Sequence, residues 1–145
     1  MKHEHLKTEI VQLAVIIKGK KALCLTLAGY LDPMYHGMVT LPGGRINKGE
    51  EPVEGLKREL LEETGLKINK LKLVHTDTEF FPHDGEDRYV VIYGCDDFKG
   101  EVKLSNEHIG YEWLGLEELG EQNWVNEKIS TWIKKAFEAL ESKGR

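Results

Sequence analysis

The chain has 145 residues, of which 40% are hydrophobic and 31% are charged, and its formal net charge is −5 at pH 7. This length suits one domain with a single core, and the composition is that of an ordinary globular protein. The acidic balance argues against a non-specific nucleic-acid or membrane-surface binder, because such proteins present basic patches. We expect a disordered tail at residues 1–7 and one domain at residues 8–145.

Features of cellular location follow from what the sequence lacks. No apolar run approaches the roughly 18–20 residues that a membrane helix needs. The first residues, MKHEHLKTE, have no apolar secretory segment. Cys24 and Cys95 lie in apolar runs without metal-thiolate spacing, which favours buried free thiols over a disulfide. We therefore predict a cytoplasmic protein, in which thiols stay reduced.

The first half of the chain begins with predicted strands. The apolar, β-branched run at residues 10–17 (IVQLAVII) predicts a central strand buried on both faces. A turn at residues 18–21 leads into a second strand at 22–28. A loop at 29–37 precedes a short strand at 38–41, which enters a Pro-Gly-Gly turn.

A helix is predicted from Pro52 to Thr64. Pro52 suits the first turn of a helix, where a missing N–H costs little, and Gly65 suits the left-handed position just past its end. Acidic residues cluster near the predicted N-terminus, where the helix dipole favours negative charge.

The second half predicts further strands and a final helix. Strand candidates occupy residues 71–80, 88–95, 101–104 and 111–114, and a turn-rich loop separates the first two. From residue 126 on, apolar side chains repeat on one side of a helix, which indicates core packing, with a partner-binding stripe as the alternative. The natural arrangement is one sheet covered on both faces by helices. The stripe consists of Ile129, Trp132, Ile133, Ala136, Phe137 and Leu140.

Three glutamates share one face of the helix that begins at Pro52. At 100° per residue, Glu62 and Glu63 lie about 60° and about 40° to either side of Glu59, so the carboxylates occupy an arc of about 100°. Arg58 is spaced to pair with Glu59 or Glu62. The arrangement indicates either a solvated acidic face or a cation site.

A glycine within the same arc favours the cation site. Gly55 costs about 0.5–1 kcal/mol relative to alanine in a helix interior, so we expect it to admit a backbone segment, for which the turn at Gly43 and Gly44 is the nearest candidate. Clusters of oxygen ligands suit Mg²⁺ or Mn²⁺. Such ions could bridge a diphosphate, neutralise its charge and activate a water.

Residues 44–66 resemble the complete Nudix box. Gly44 is followed after five residues by Glu50, and after seven more by RELLEETGL. The resemblance implies an α/β/α sandwich with a mixed β-sheet between helices, and the order of predicted strands agrees with that fold over most of the chain. It also implies a Mg²⁺-dependent (or Mn²⁺-dependent) hydrolase that cleaves diphosphate bonds with a metal-activated water.

The resemblance assigns roles by position. Glu59, Glu62 and Glu63 would be metal ligands, together with the backbone carbonyl of Gly43. Glu59 would also activate the water, and Arg58 would orient the neighbouring glutamate.

A further carboxylate is expected outside the box. Glu107, six residues before Trp113, resembles the loop carboxylate of MutT-like members and is a candidate catalytic residue, with a surface acid as the alternative. The candidate substrate contacts are Gly44, Arg45, Glu50 and Phe81.

The implied substrate is a small nucleotide or nucleotide sugar. Nucleoside triphosphates and ADP-ribose stay open; the position of Pro82 resembles a marker of members that hydrolyse ADP-ribose. Tyr30, Phe80 and Phe81 could stack on a base, although packing or loop anchoring is favoured for each. A non-hydrolysing nucleotide sensor is the alternative function. No nucleic-acid or membrane partner is expected, and a homodimer is compatible with the sequence.

Overall fold

The structure is a computed structural model that describes residues 8–29, 33–81 and 86–141, without the side chains of Phe81 and Glu86. The predicted tail at residues 1–7, the stacking candidate Tyr30 and the marker Pro82 therefore lie outside the described residues. Among the described residues, no helix is long and apolar enough to cross a membrane.

A mixed sheet organises the described chain around its first strand. The first strand pairs parallel with the sixth and antiparallel with the second and fourth. The strands are β1 (Glu9–Lys18), β2 (Lys21–Leu27), β3 (Val39–Thr40), β4 (Gly43–Arg45), β5 (Lys67–Phe81), β6 (Glu86–Lys99) and β7 (His108–Leu114). The order along the sheet is β3-β2-β1-β6-β5, with β4 also pairing with β1 and β7 with β2.

The two helices cover opposite faces of this sheet. On β1, Leu13 and Val15 pack in one apolar cluster with helix α2 (Ile129–Glu141), whereas Ala14 and Ile16 pack in a second cluster with helix α1 (Pro52–Thr64). Alternate side chains of a strand point to opposite faces, so β1 is buried on both. The predicted layering and the predicted core role of the α2 stripe are confirmed.

Both cysteines are buried and free, as predicted. Burial, and then the negative charge of Glu112, raises the pKa of the Cys24 thiol to about 12. The thiol is therefore protonated at neutral pH and packs as a small apolar group.

Several strand boundaries differ from the sequence-based expectation. The strands β5 and β6 extend beyond residues 71–80 and 88–95 because they pair with each other along most of their length, whatever the polarity of their side chains. Residues 101–104 form no strand. The backbone there instead bonds to the end of α1, where Lys103 N–H donates to the carbonyl of Thr64 at 2.7 Å.

Candidate active site

Strand β4 places the Pro-Gly-Gly turn against β1. Gly44 lies opposite Gln12 and Gly43 lies opposite Leu13 in the antiparallel ladder. Gln12 is only 2% exposed, and its side-chain amide donates to the Pro52 carbonyl at 2.8 Å. The strand β1 therefore positions both the glycine turn and the first turn of α1.

Glu51 caps the start of α1. From the sequence it was expected only as one of the acids that the helix dipole favours near the N-terminus. The Glu51 carboxylate accepts hydrogen bonds from the N–H groups of Val53, at 3.2 Å, and Glu54, at 2.7 Å. At the other end, Gly65 adopts the predicted left-handed conformation with φ of 77°. The helix has the predicted bounds because local capping signals set both ends.

Two glutamates of α1 lie directly against the glycine turn. The Gly43 N–H donates to Oε2 of Glu63 at 2.9 Å. A Cβ added at Gly44 would overlap the carboxylate of Glu59 and lie 2.7 Å from its Cδ. The missing side chain at Gly44 thus makes room for a carboxylate beside the turn.

The glycine inside α1 has a different neighbour from the one expected. A Cβ added at Gly55 would lie 2.6 Å from Oε1 of Glu50, and the three nearest atoms all belong to that side chain. The prediction that the Gly43–Gly44 turn fills this space is wrong, because the Glu50 carboxylate occupies it.

Arg58 connects three carboxylates. Its Nε and Nη2 donate to the two oxygens of Glu50 at 2.8 and 3.1 Å, and its Nη1 donates to Oε1 of Glu62 at 3.1 Å. Its Nη2 also lies 3.7 Å from Oε1 of Glu59. The hydrogen bond from Arg58 lowers the pKa of Glu50 and outweighs desolvation. Arg58 therefore makes the expected contacts with Glu59 and Glu62. Its guanidinium is also held by Glu50, which lies in the loop before α1.

Glu59 and Glu63 have unfavourable surroundings for negative charge. Burial, reinforced by the charges of Glu59, Glu107 and Glu62, raises the pKa of Glu63 to about 8, although the Gly43 N–H opposes the shift. Burial also raises the pKa of Glu59 despite the nearby Arg58, and the charges of Glu62 and Glu107 add to it. A bound cation would remove this penalty.

Glu107 comes from another part of the chain and completes the cluster. The segment before it closes over the end of α1, where Ser105 N–H donates to the carbonyl of Glu63 at 3.2 Å. The exposed Glu107 lies within reach of the acids on α1, since its charge affects the pKa of both Glu59 and Glu63.

The sequence analysis missed His108, which follows Glu107 directly. Ligand atoms of Glu63, Glu107 and His108 all lie within 4.8 Å of one another. His108 is 8% exposed, and burial lowers its pKa against the opposing charge of Glu107, so the ring is neutral at pH 7. The sequence could have indicated His108 as a site residue, because it is adjacent to Glu107, the expected loop carboxylate.

These residues fit a divalent cation. The donors are carboxylate oxygens from two chain segments, which suit Mg²⁺ or Mn²⁺. The fit is tested by the surroundings of Glu63, which disfavour a negative charge on its carboxylate. Among the described residues its hydrogen-bond partner is the neutral Gly43 N–H, so a cation would supply the missing positive charge. Glu63 and Glu107 are the carboxylates whose oxygens lie close enough together to share one ion. Ligand roles for Glu59, Glu62 and the Gly43 carbonyl stay predictions.

The candidate substrate-binding residues do not form a cluster comparable to that of the acids. The exposed Arg45 pairs with Glu9, with 3.1 Å from Nε to Oε2. Phe80 is 59% exposed, so it does not pack in the core, which was one of the two roles favoured for it. The side chain of Phe81 lies outside the described residues. Substrate roles for Gly44, Arg45, Glu50 and Phe81 stay predictions.

A family model described as a NUDIX domain matches residues 7–136. The chain belongs to the Nudix family. The mixed sheet between two helices is the fold of this family, as comparison with a solved structure shows. The structure of the MutT protein from Methanosarcina mazei Go1 is similar with a TM-score of 0.79 and 24% identity, over 97% of this chain and 99% of that one.

Curated Nudix relatives cover parts of the chain. The mouse bis(5'-nucleosyl)-tetraphosphatase [asymmetrical] is 35% identical over 91 residues, which span 60% of each protein. The zebrafish oxidized purine nucleoside triphosphate hydrolase is 25% identical over 122 residues, which span 83% of this chain and 75% of that protein. The match with the mouse protein thus covers less than two thirds of its length.

A Gly44→Ala variant tests the close approach at the turn. The added Cβ would displace the Glu59 carboxylate, whereas the backbone at Gly44 is not left-handed and tolerates alanine. We expect kcat to fall by about 10²-fold with the fold retained, because small displacements of reacting groups have effects of that size. Steady-state kinetics measure kcat, and circular dichroism shows whether the fold is retained. Gly120→Ala, with open space around the glycine, is the control; equal activities of the two variants would contradict the prediction.

The raised pKa of Glu63 predicts how stability depends on pH without metal. Between its ordinary pKa of 4.5 and about 8, the folded protein holds a proton that the unfolded chain has lost, so stability falls as pH rises. A Glu63→Gln variant lacks this titration. In EDTA, we expect its Tm to exceed that of the wild type by about 3 °C or more at pH 8 and by much less at pH 5.

Thermal unfolding from pH 5 to pH 8 checks this expectation. Glu54→Gln is the matched control, because Glu54 lies on the same helix with 71% of its side chain exposed. Parallel pH profiles for wild type and Glu63→Gln would show that Glu63 does not carry the proton.

Proposed function

We propose that this Nudix protein is a pyrophosphohydrolase that uses Mg²⁺ or Mn²⁺ to hydrolyse a diphosphate bond in a nucleotide. The observation that carries the proposal is the cluster at the glycine turn, where Glu59 and Glu63 of α1 lie against Gly43 and Gly44 and within electrostatic reach of Glu107. An intact box with these acids assembled supports hydrolysis over nucleotide sensing alone.

The protein side chains have separate tasks in this proposal. A divalent cation held by the acids would neutralise phosphate charge and make a water more acidic. Glu59 is the candidate base, as the resemblance to the Nudix box assigns it, and its carboxylate lies directly beside the turn at Gly44. Arg58 keeps Glu59 and Glu62 in position while anchored on Glu50. The Gly43 N–H orients Glu63.

The substrate class that we propose first is the dinucleoside polyphosphates. The support is the name of the mouse relative, which matches 60% of this chain at 35% identity. Nucleoside triphosphates come second, on the weaker similarity to the zebrafish protein. The prediction of ADP-ribose as a substrate was based on the position of Pro82. This residue lies outside the described residues, so the structure adds no support for that substrate. We further propose that the protein acts on these small molecules in the cytoplasm.

A substrate panel tests the proposal. Purified protein is incubated with diadenosine tetraphosphate, the (deoxy)nucleoside triphosphates with their oxidised purine forms, and ADP-ribose, each with Mg²⁺, Mn²⁺ or EDTA. Chromatography of the products identifies the bond that breaks, and ¹⁸O-water identifies the phosphorus attacked. We expect EDTA-sensitive cleavage that Glu63→Gln lacks. Nucleotide binding without cleavage of any substrate would overturn the proposal in favour of a sensor.

A further inference from the structure

His108 is a buried polar residue at the metal site for which the proposed mechanism has no task. It is 8% exposed, and its Nδ1 has no hydrogen-bond partner among the described residues. Buried polar atoms in native proteins nearly always have a partner, so an unpartnered ring nitrogen points to a missing ligand.

The ring lies where a ligand is needed. One of its nitrogens is within 4.8 Å of carboxylate oxygens of both Glu63 and Glu107. Ligand atoms around an octahedral ion with bonds of about 2.1 Å are about 3.0 Å apart when adjacent and about 4.2 Å apart when opposite. The three groups therefore need to move little to surround one ion.

The backbone at this position is irregular in a way that supports a functional orientation. His108 pairs with Leu27, and the register between β2 and β7 shifts between Thr26 and Leu27. Next to this shift, Ala28 N–H donates to the carbonyl of Glu107 at 3.0 Å. Bulges of this kind often re-aim side chains beside active sites. Here the irregularity lies at the start of β7, where Glu107 and His108 are neighbours along the chain.

We propose that His108 donates a ring nitrogen to the cation held by Glu63 and Glu107, and that this nitrogen makes the site favour Mn²⁺ over Mg²⁺. The inference rests on the proposed function only in that a divalent cation binds at this cluster. Mg²⁺ is a hard ion that prefers oxygen ligands, whereas divalent transition-metal ions, of which Mn²⁺ is one, accept imidazole nitrogen more readily than Mg²⁺ does. A mixed nitrogen and oxygen site thus discriminates between ions that an all-carboxylate site would bind more evenly.

Pulsed electron paramagnetic resonance of bound Mn²⁺ tests the nitrogen directly. Protein without a histidine tag is loaded with Mn²⁺, and nuclear modulation from directly bound ¹⁴N is recorded for the wild type, His108→Gln and His75→Gln. His75 is the matched control, because it lies on β5 with Nε2 3.8 Å from Asp77 and outside the cluster. A wild-type sample with ¹⁵N-labelled histidine tests whether the bound nitrogen belongs to a histidine, and absence of a ¹⁵N signal would contradict the inference even if His108→Gln does not fold.

We expect imidazole modulation in the wild type and His75→Gln, its loss in His108→Gln, and its replacement by a ¹⁵N signal in the labelled protein. We also expect the Kd for Mn²⁺ to rise about tenfold in His108→Gln, with a smaller change for Mg²⁺ measured by competition. Wild-type protein that binds Mn²⁺ and hydrolyses nucleotides without this modulation would overturn the inference alone. Modulation that persists in His108→Gln would do the same. Absence of any Mn²⁺ binding would overturn the inference, and absence of EDTA-sensitive hydrolysis with Mg²⁺ as well would overturn the proposed function.

Discussion

Replacing Glu63 with glutamine should lower kcat by about two to three orders of magnitude while the fold stays intact. Glutamine has the shape of glutamate and keeps an oxygen that can accept the Gly43 N–H, so the contact between α1 and the turn survives. It lacks the negative charge that a cation requires. Loss of metal ligation or of charge stabilisation at a reacting phosphate has effects of this size.

The measurement is kcat at saturating substrate and Mg²⁺, with circular dichroism and Tm recorded on the same samples. Glu54→Gln provides the matched control, since it makes the same change on an exposed part of α1. We expect the control to retain activity within about twofold, as a surface substitution away from the site. Near wild-type turnover in a folded Glu63→Gln protein would remove Glu63 from the reaction.

A Gly43→Ala variant should lose about 3 kcal/mol or more of stability, and so about 10 °C in Tm. The glycine has φ of 149°, and a Cβ there would overlap the carbonyl oxygen of Gln12 and lie 2.8 Å from Cα of Leu13. Both obstacles belong to the backbone of β1, which cannot retreat because it is paired with β6 and packed on both faces.

Thermal or denaturant unfolding measures this loss, and two other glycines separate its causes. Gly49→Ala introduces a side chain at φ of 81° with open space around it, so it reports backbone strain alone. Gly120→Ala has open space and no positive φ, and should be close to neutral. If Gly43→Ala were no less stable than Gly49→Ala, the close packing of the turn on β1 would be refuted.

Elements with strong local signals were predictable from the sequence. Pro52 and Gly65 mark the ends of α1 because each residue has a conformational requirement that a helix terminus satisfies. The stripe that includes Trp132 and Phe137 predicts α2, and it is buried as expected. The acidic arc of α1 was also predictable, since helical spacing alone places Glu59 near Glu63.

Features that depend on contacts distant in sequence were not predictable. The three residues of β4 include two glycines and carry no strand signal; they form a strand because β1 offers a partner. The space beside Gly55 was assigned to the wrong neighbour, since helix periodicity does not say where the Glu50 side chain folds back. His108 was overlooked because its burial follows from the pairing of β7 with β2.

The hydrogen bonds between the end of α1 and the segment at residues 103–105 have a thermodynamic consequence for ion capture. The side chain of Glu63 is a potential metal ligand, and its backbone carbonyl accepts a hydrogen bond from the N–H of Ser105. Ser105 lies two residues before Glu107, so this hydrogen bond holds the loop acid near the helix acid. The entropy of bringing the helix and the loop together is therefore lost when the chain folds, and little of it is left to lose when an ion arrives. Lengthening this short tether should weaken cation affinity even if every acidic side chain were kept.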